Sequence, residues 1–320
     1  MAVVRCAMET FLTNVWGGQY KLPLLLEWNF SYGAALPCDA FEVSFLFDAA
    51  MYPVLRDAVR FYADENGQTV FCGIVDDFEI SVSDKGSVAV VHGRGLAALL
   101  LDNEAGAAQY GSASIDTVLA GYVYPFGITN VKNVANLSPR ALNVESGESC
   151  WKVLEDFVWF GCGVRPRFDA NGTLLLGRQE GKKRVIDAKT AVTAQTLKSR
   201  RYGVISEAVV KNKAAGTSAT VVNEAFKRQG GVCRRVVNVP RRTLNNAMRA
   251  TGEYQIARSE EDRFSITLTV PALFAAFPGD VVTLADAPTG AAGTYDVARS
   301  SCFADGERAG TEIILKTRGE

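Results

Sequence analysis

Residues 70–96 read VFCGIVDDFEISVSDKGSVAVVHGRGL and include the single histidine of the chain, His92. In the first half, polar and apolar side chains alternate, which is the period of a strand with one buried face. Asp84-Lys85-Gly86 then predicts a turn, because glycine adopts left-handed backbone conformations without steric cost. The second half alternates again. We therefore predict a β-hairpin, with His92 on the same apolar side as Val88 and Val90.

The residues around this hairpin also predict strands. Alternation at 24–32 and 41–47 is typical of half-buried strands. Asn66-Gly67 supplies the positive φ angles of a tight hairpin turn. Closely spaced strands with turn signals between them favour a barrel or sandwich. We predict a first β-domain, a barrel or a sandwich, over residues 1–104.

Residues 105–198 change character and predict a small α+β domain. Ser114 can cap one helix, and Ser146 or Ser149 can cap a second that ends near Gly161 and Gly163. Cys150 and Cys162 flank the second helix and are interpreted as small core residues. A hairpin that turns at residues 169–172 follows.

Residues 199–320 return to a β pattern and predict a second β-domain. Pro278-Gly279-Asp280 precedes a strand that starts at Val281. The fold class is thus mainly β with an α+β insert. Further strands are expected at 204–211, 219–226, 232–239 and 263–270, and a helix at 242–258 with Leu244, Ala247 and Met248 inward.

The composition excludes several classes of protein. Hydrophobic residues make up 48% and charged residues 22% of the 320 residues, which is typical of a globular chain. The net charge of −1 argues against binding nucleic acid through bulk electrostatics. Seven scattered cysteines show neither zinc-site spacing nor a disulfide framework. No signal peptide or membrane-length apolar run is visible, so we expect a protein made in a cytoplasm, with no metal or cofactor.

His92 and its neighbours raise the question of catalysis. Acid–base or nucleophilic catalysis would need a fixed partner for His92, and strand parity instead predicts a structural histidine. Gly93-Arg94-Gly95 is shorter than a phosphate-binding loop. Asp76, Asp77 and Glu79 are interpreted as a solvated or interface face, although a glycosidase pair of distant carboxylates stays open.

Three segments together resemble the central hub proteins of phage tail baseplates and related contractile particles. The first is Val70-Phe71-Cys72-Gly73-Ile74-Val75 followed by the hairpin and Gly93-Arg94-Gly95-Leu96. The second is the helix after Glu148-Ser149-Cys150-Trp151 with its following hairpin. The third is the helix at 242–258, a hydrophobic strand, and Phe277-Pro278-Gly279-Asp280-Val281-Val282. The resemblance covers nearly the whole chain.

The resemblance implies a non-enzymatic homotrimer in which each chain gives two tube-like β-barrel domains, residues 1–104 and 199–320. The six domains of the trimer would form a six-fold-like ring. Its partners would be the tail tube protein on one side and a spike or tail-tip protein on the other, with a tape measure protein and a baseplate wedge nearby. DNA would only pass through the channel, and the chain would not bind a membrane. The particle would be a virion tail or a tailocin-like contractile injection system, assembled in the bacterial host cytoplasm. Expected interface or channel residues are Asp77, Glu79, Ser81, Arg94, Pro278, Gly279 and Asp280.

Two alternatives stay open at this point. One is a cell-wall-degrading enzyme of the tail tip, for which no catalytic motif is present. The other is a tail tube or distal tail subunit, which would assemble as a hexamer. Because the sequence ends at Glu320, soon after the second β-domain, we expect no appended lytic or spike domain.

Overall fold

The computed structural model describes residues 8–33, 38–179, 181–187, 190–239, 245–261, 263–285 and 288–318. The strands are β1 (Met8–Asn14), β2 (Gln19–Lys21), β3 (Leu25–Gly33), β4 (Ala40–Leu46), β5 (Ala58–Glu65), β6 (Gln68–Ser83), β7 (Gly86–Gly95), β8 (Ala108–Ala113), β9 (Val131–Asn133), β10 (Arg140–Val144), β11 (Arg167–Phe168), β12 (Leu174–Leu176), β13 (Lys183–Ile186), β14 (Ala194–Ser199), β15 (Glu207–Asn212), β16 (Thr217–Val222), β17 (Arg234–Asn238), β18 (Phe264–Val270), β19 (Val281–Leu284), β20 (Gly293–Ala304) and β21 (Ala309–Thr317). The α-helices are α1 (Tyr52–Asp57), α2 (Ala98–Leu101), α3 (Ile115–Tyr122), α4 (Cys150–Cys162), α5 (Glu224–Arg228) and α6 (Asn245–Glu260).

One sheet of thirteen strands combines strands from the N-terminal and the C-terminal parts of the chain. Its order is β14-β18-β21-β20-β3-β4-β7-β6-β5-β1-β2, and β13 joins it through β19, which pairs with β20. We call β1–β7 the first β-unit, and β13, β14 and β18–β21 the second β-unit. The predicted fold class, mainly β with an α+β insert, is confirmed.

The first β-unit curls around an aromatic core. Phe30 of β3 and Phe61 of β5 lie with their ring centroids 5.9 Å apart. The Tyr32 hydroxyl of β3 donates a hydrogen bond of 2.6 Å to the carbonyl of Val70 in β6, although two strands separate β3 from β6 in the sheet. The sheet therefore bends back on itself, as a tube-like domain requires.

The second β-unit repeats the strand order of the first. The order β3-β4-β7-β6-β5 in one corresponds to β14-β18-β21-β20-β19 in the other. Both repeats carry a β-bulge at the same place in the strand order, at Asp76 between β6 and β7 and at Ala298 between β20 and β21. A bulge inserts one residue and bends its strand, so the shared position marks the two long strands as equivalent.

The second β-unit is interrupted between its first two strands. The interruption contains the sheet β16-β15-β17 and the helix α6, which packs on β15 and β16. Of the residues predicted to face inward on this helix, Met248 is buried, Ala247 is exposed, and Leu244 lies outside the described residues. The strand predicted at 219–226 ends early because the Asn223 side chain accepts a hydrogen bond from the N–H of Phe226 and caps α5.

The middle of the chain forms a third core around α3 and α4. Ser114 and Ser149 cap these helices, and Gly163 ends α4 in the left-handed conformation, as the sequence predicts. The core also includes Ala97 and Leu100, which precede residue 105. None of the helices in the described part of the chain has the length and apolar character needed to cross a membrane.

The hairpin that includes His92 forms as predicted, but in β7 the buried face is the opposite one. Asn66 and Gly67 both have positive φ, which confirms the preceding turn. In β7 the buried side chains are Ala89 and Val91, whereas His92 is only half-buried. Both faces of this strand carry apolar residues, so alternation alone does not distinguish them.

Candidate assembly interface

The two β-units are joined edge to edge where β20 pairs with β3, and we call this junction the seam. The first part of β20, residues 293–296, pairs with β19, and its second part, residues 299–304, pairs antiparallel with β3. On the polar face of this seam the hydroxyls of Ser31 and Ser301 lie 3.3 Å apart. One chain therefore contains a complete junction between two β-units.

Phe274 of the second β-unit closes the core side of the seam. Its ring stacks on Trp28 at 5.7 Å and lies 6.2 Å from Phe30, although its backbone has a φ of +48°. Its N–H donates to the Sγ of Cys302 at 3.1 Å. Burial raises the pKa of the Cys302 thiol to about 11, so the sulfur is a protonated core atom and not a nucleophile.

The opposite face of the shared sheet is polar and crosses the seam without a break. Asp77, His92, Glu42 and Asn29 are successive cross-strand partners on this face. His92 Nδ1 lies 3.6 Å from a carboxylate oxygen of Glu42. This arrangement makes His92 part of a cross-strand row of polar side chains.

A shallow groove of about 420 Å³ lies on the same polar face and spans the seam. Carboxylates predominate among its charged side chains, which are Glu27, Glu42, Asp305, Arg308 and Glu312. Among the described residues, no group of three or more histidine, cysteine or acidic side chains is placed to hold a metal ion. The face is therefore an extended acidic and hydroxyl-rich surface.

The run of strands from β14 to β6 in the sheet order ends on two edges that have no partner within the described residues. β5 pairs with β6 only as far as Ile74, so one edge of β6 is open over residues 77–83. β14 ends the sheet on the other side, with one edge paired to β18. Asp77, Glu79 and Ser81 are exposed on the open part of β6, and their interface or channel role stays a prediction. Open edges of this kind are sites for pairing with another chain.

Arg94 is engaged inside the chain. Its guanidinium binds Asp76 at 2.6 and 2.9 Å and Asp102 at 2.7 and 3.0 Å. These bonds raise the pKa of Arg94 and hold the pKa of Asp102 below its usual value. Arg94 therefore ties the β-bulge at Asp76 to the end of α2, and its predicted interface role stays a prediction.

Pro278-Gly279-Asp280 forms a tight turn before β19. The buried Asp280 carboxylate accepts hydrogen bonds from the N–H groups of Lys182 at 2.7 Å and Phe277 at 3.2 Å. Gly279 has a φ of +90°, and a side chain there would meet the Arg167 guanidinium. These contacts hold the start of β13 beside β19, which gives the motif a role within the chain. The role predicted for it in an interface or channel stays untested.

We call the part of the chain built around α3 and α4 the middle module. A cavity of about 770 Å³ lies where the two β-units meet this module. Asp39, Arg167 and Asp280 line it. Burial raises the pKa of Asp39 to about 7, opposed by a hydrogen bond from the N–H of Gly33 and by Arg167. Burial also lowers the pKa of Arg167. The group is a partly desolvated charge cluster that supports the junction.

Comparison with known proteins places this architecture among tail proteins. No family model matches the sequence, and no curated protein matches it either. A solved tail protein from Neisseria meningitidis has a TM-score of 0.77 at 18% identity, over 98% of this chain and 96% of that one. The 43 kDa tail protein of prophage MuSo2 from Shewanella oneidensis has a TM-score of 0.79 at 18% identity, over 97% and 98%. An E. coli component of the type VI secretion system has a TM-score of 0.58 at 10% identity, over 92% of this chain and 74% of that one. The chain has the fold of phage tail proteins.

Proposed function

We propose that the chain is a structural hub subunit of a phage tail or phage-tail-like particle. Three copies form a ring that joins the tail tube to a spike or tail-tip protein and lines the channel between them. The observation that carries the proposal is the edge-to-edge junction of two β-units with the same strand order in one chain.

The repeat explains why three chains suit a six-fold partner. If the internal junction is repeated between chains, a ring of three contains six β-units in a closed arrangement. Eight strands per chain, β14-β18-β21-β20-β3-β4-β7-β6, then follow one another around the ring. Closure pairs the open edges and removes the risk that they template aggregation.

The polar face of the shared sheet is the face that we assign to the channel. Both hydrophobic cores lie on the other side, because the paired residues Phe30, Cys302 and Thr311 are all buried. Carboxylates such as Glu27, Glu42 and Glu312 repel nucleic acid phosphates, so DNA can pass through without adhering. The middle module would decorate the outside of the ring.

The copy number of the purified protein tests this proposal. Native mass spectrometry should find three chains of 34.5 kDa each, and electron microscopy should show a three-fold ring with a six-fold-like inner wall. Six copies per ring would instead identify a tube or distal tail subunit. A stable monomer at micromolar concentration would contradict both assignments.

A further inference from the structure

The repeat within the chain predicts how neighbouring copies pair. We propose that the open edge of β6 in one copy pairs antiparallel with the open edge of β14 in the next, with Glu79 opposite Lys198. This inference rests on the proposed ring and adds the two strands and their register.

The two bulges align the long strands residue by residue. After its bulge at Ala298, β20 continues with Arg299 opposite Ile314 of β21. After its bulge at Asp76, β6 continues with Asp77 opposite His92 of β7. Residues 299–304 of β20 therefore correspond to residues 77–82 of β6.

The pairing of the remaining strands extends the alignment to β14. On β21 and β18, Glu312 pairs with Thr269, which pairs with Ala194 of β14. The corresponding ladder in the first β-unit ends on Glu27 of β3. Ala194 therefore corresponds to Glu27, and Lys198 corresponds to Ser31. The burial pattern agrees, because Leu197 faces the core side as Phe30 does.

The internal seam then fixes the register between copies. In the seam, Ser301 pairs with Ser31 and Cys302 pairs with Phe30. Transferring these pairs to the equivalent positions gives one ladder between neighbouring copies, with the β6 residue first: Asp77–Arg200, Phe78–Ser199, Glu79–Lys198, Ile80–Leu197, Ser81–Thr196 and Val82–Gln195.

The side-chain chemistry of this ladder supports the register independently of the strand equivalence from which the register was derived. Glu79 meets Lys198, and Asp77 meets Arg200, so acidic residues of β6 face basic residues of β14. Ile80 meets Leu197 on the core side. A slip of one residue would bring core-facing and polar side chains together. Opposite charges directly across an antiparallel pair are stabilising, and like charges are not.

The exposure of β6 also indicates that a covering strand is absent from the single chain. On the core side, Val82 is 75% exposed, and Phe78 and Ile80 are only half-buried. Cys302, which corresponds to Ile80, is 1% exposed because β3 and the first β-unit cover it. A second copy supplies the missing strand at the equivalent place.

Both halves of this interface belong to the same chain, which is why we assign the occupant as a second copy. β6 and β14 lie at opposite ends of the eight-strand run, so the contact is head to tail. Head-to-tail contacts close into rings when the rotation permits.

Charge reversal tests the pairing in the full-length protein. We expect Glu79→Lys and Lys198→Glu each to weaken assembly about tenfold or more, since each places like charges opposite one another. The double variant restores the pair and should recover assembly. Glu312→Lys reverses a carboxylate on the same polar face away from the open edges, and should leave assembly unchanged. Sedimentation velocity over a concentration series measures all four.

Disulfide trapping tests the register. Under mild oxidation, Ser81→Cys with Thr196→Cys should cross-link neighbouring chains, because directly opposed residues have the Cβ separation that a disulfide requires. Ser81→Cys with Ala194→Cys shifts one position by two residues and should not cross-link. The parent protein controls for its native cysteines.

The outcomes separate this inference from the proposed function. A trimer whose assembly ignores the charge reversals and gives no specific cross-link overturns the ladder and keeps the hub. Another copy number with the Ser81–Thr196 cross-link overturns the trimer and keeps the ladder. A monomer without cross-links overturns both.

Discussion

Phe274 offers a sharp test of how the two β-units are held together. The residue is 9% exposed, and its ring stacks between Trp28 and Phe277. Truncation of a buried phenylalanine to alanine costs about 3–5 kcal/mol, and we expect about 3 kcal/mol for Phe274→Ala at the rim of this core. Because the φ of residue 274 is positive, the stability of Phe274→Gly should differ from that of Phe274→Ala.

Glycine at position 274 should be less destabilising than alanine. A left-handed conformation costs an L-residue about 1–2 kcal/mol, and alanine keeps that cost. Glycine removes it but gains about 0.5–1 kcal/mol of unfolded-state entropy relative to alanine. The net expectation is a glycine variant more stable than the alanine variant by roughly 0.5–1 kcal/mol.

Urea denaturation followed by tryptophan fluorescence measures the difference, at one fixed protein concentration because assembly contributes to stability. Phe277 is the matched control. Its backbone is not among the positive-φ positions, so Phe277→Gly should be less stable than Phe277→Ala. An alanine variant at 274 that equals or exceeds the glycine variant would refute the reasoning.

Two further predictions concern charged groups at the junctions. Arg94→Ala should lower the free energy of unfolding by about 1 kcal/mol at low salt and by less at high salt, because the guanidinium is partly exposed. Arg56→Ala removes a surface pair with Asp57 and should leave stability unchanged. Equal effects of the two substitutions would contradict a stabilising tie from Arg94 to Asp76 and Asp102. Burial raises the pKa of Asp39 from 3.8 to about 7, so the folded state holds the carboxyl proton of Asp39 more tightly than the unfolded state does. The stabilisation that this proton gives the folded state is therefore lost as pH rises from about 4 to 7. Asp39→Asn should therefore gain stability relative to wild type at pH 8 but not at pH 4, and a difference independent of pH would show that Asp39 is not desolvated.

Local signals in the sequence predict the elements that depend on local chemistry. Asn66-Gly67 predicts its hairpin because both residues tolerate positive φ. Ser149 and Gly163 predict the ends of α4 because a hydroxyl caps the first turn and glycine accepts the left-handed position after the last. At such positions a few neighbouring residues determine the backbone.

The seam between β3 and β20 could not be predicted in this way. Ser31 and Ser301 are 270 residues apart, and neither carries a signal for its partner. The interruption between β14 and β18 also conceals the repeat, since equivalent strands no longer follow at equal spacing. The side of β7 that is buried was predicted wrongly because Val90 and Val91 make both faces apolar.

The two kinds of junction differ in chemistry for a reason that follows from assembly. In the internal seam Ser31 and Ser301 meet as hydroxyls, which suffices because the covalent chain already brings the strands together. At the proposed junction between copies the equivalent positions are Lys198 and Glu79. Charges on an open edge discourage unspecific strand pairing in the free subunit, and they become favourable only opposite the correct partner. The same two residues would thus protect the free chain and select the register of the ring.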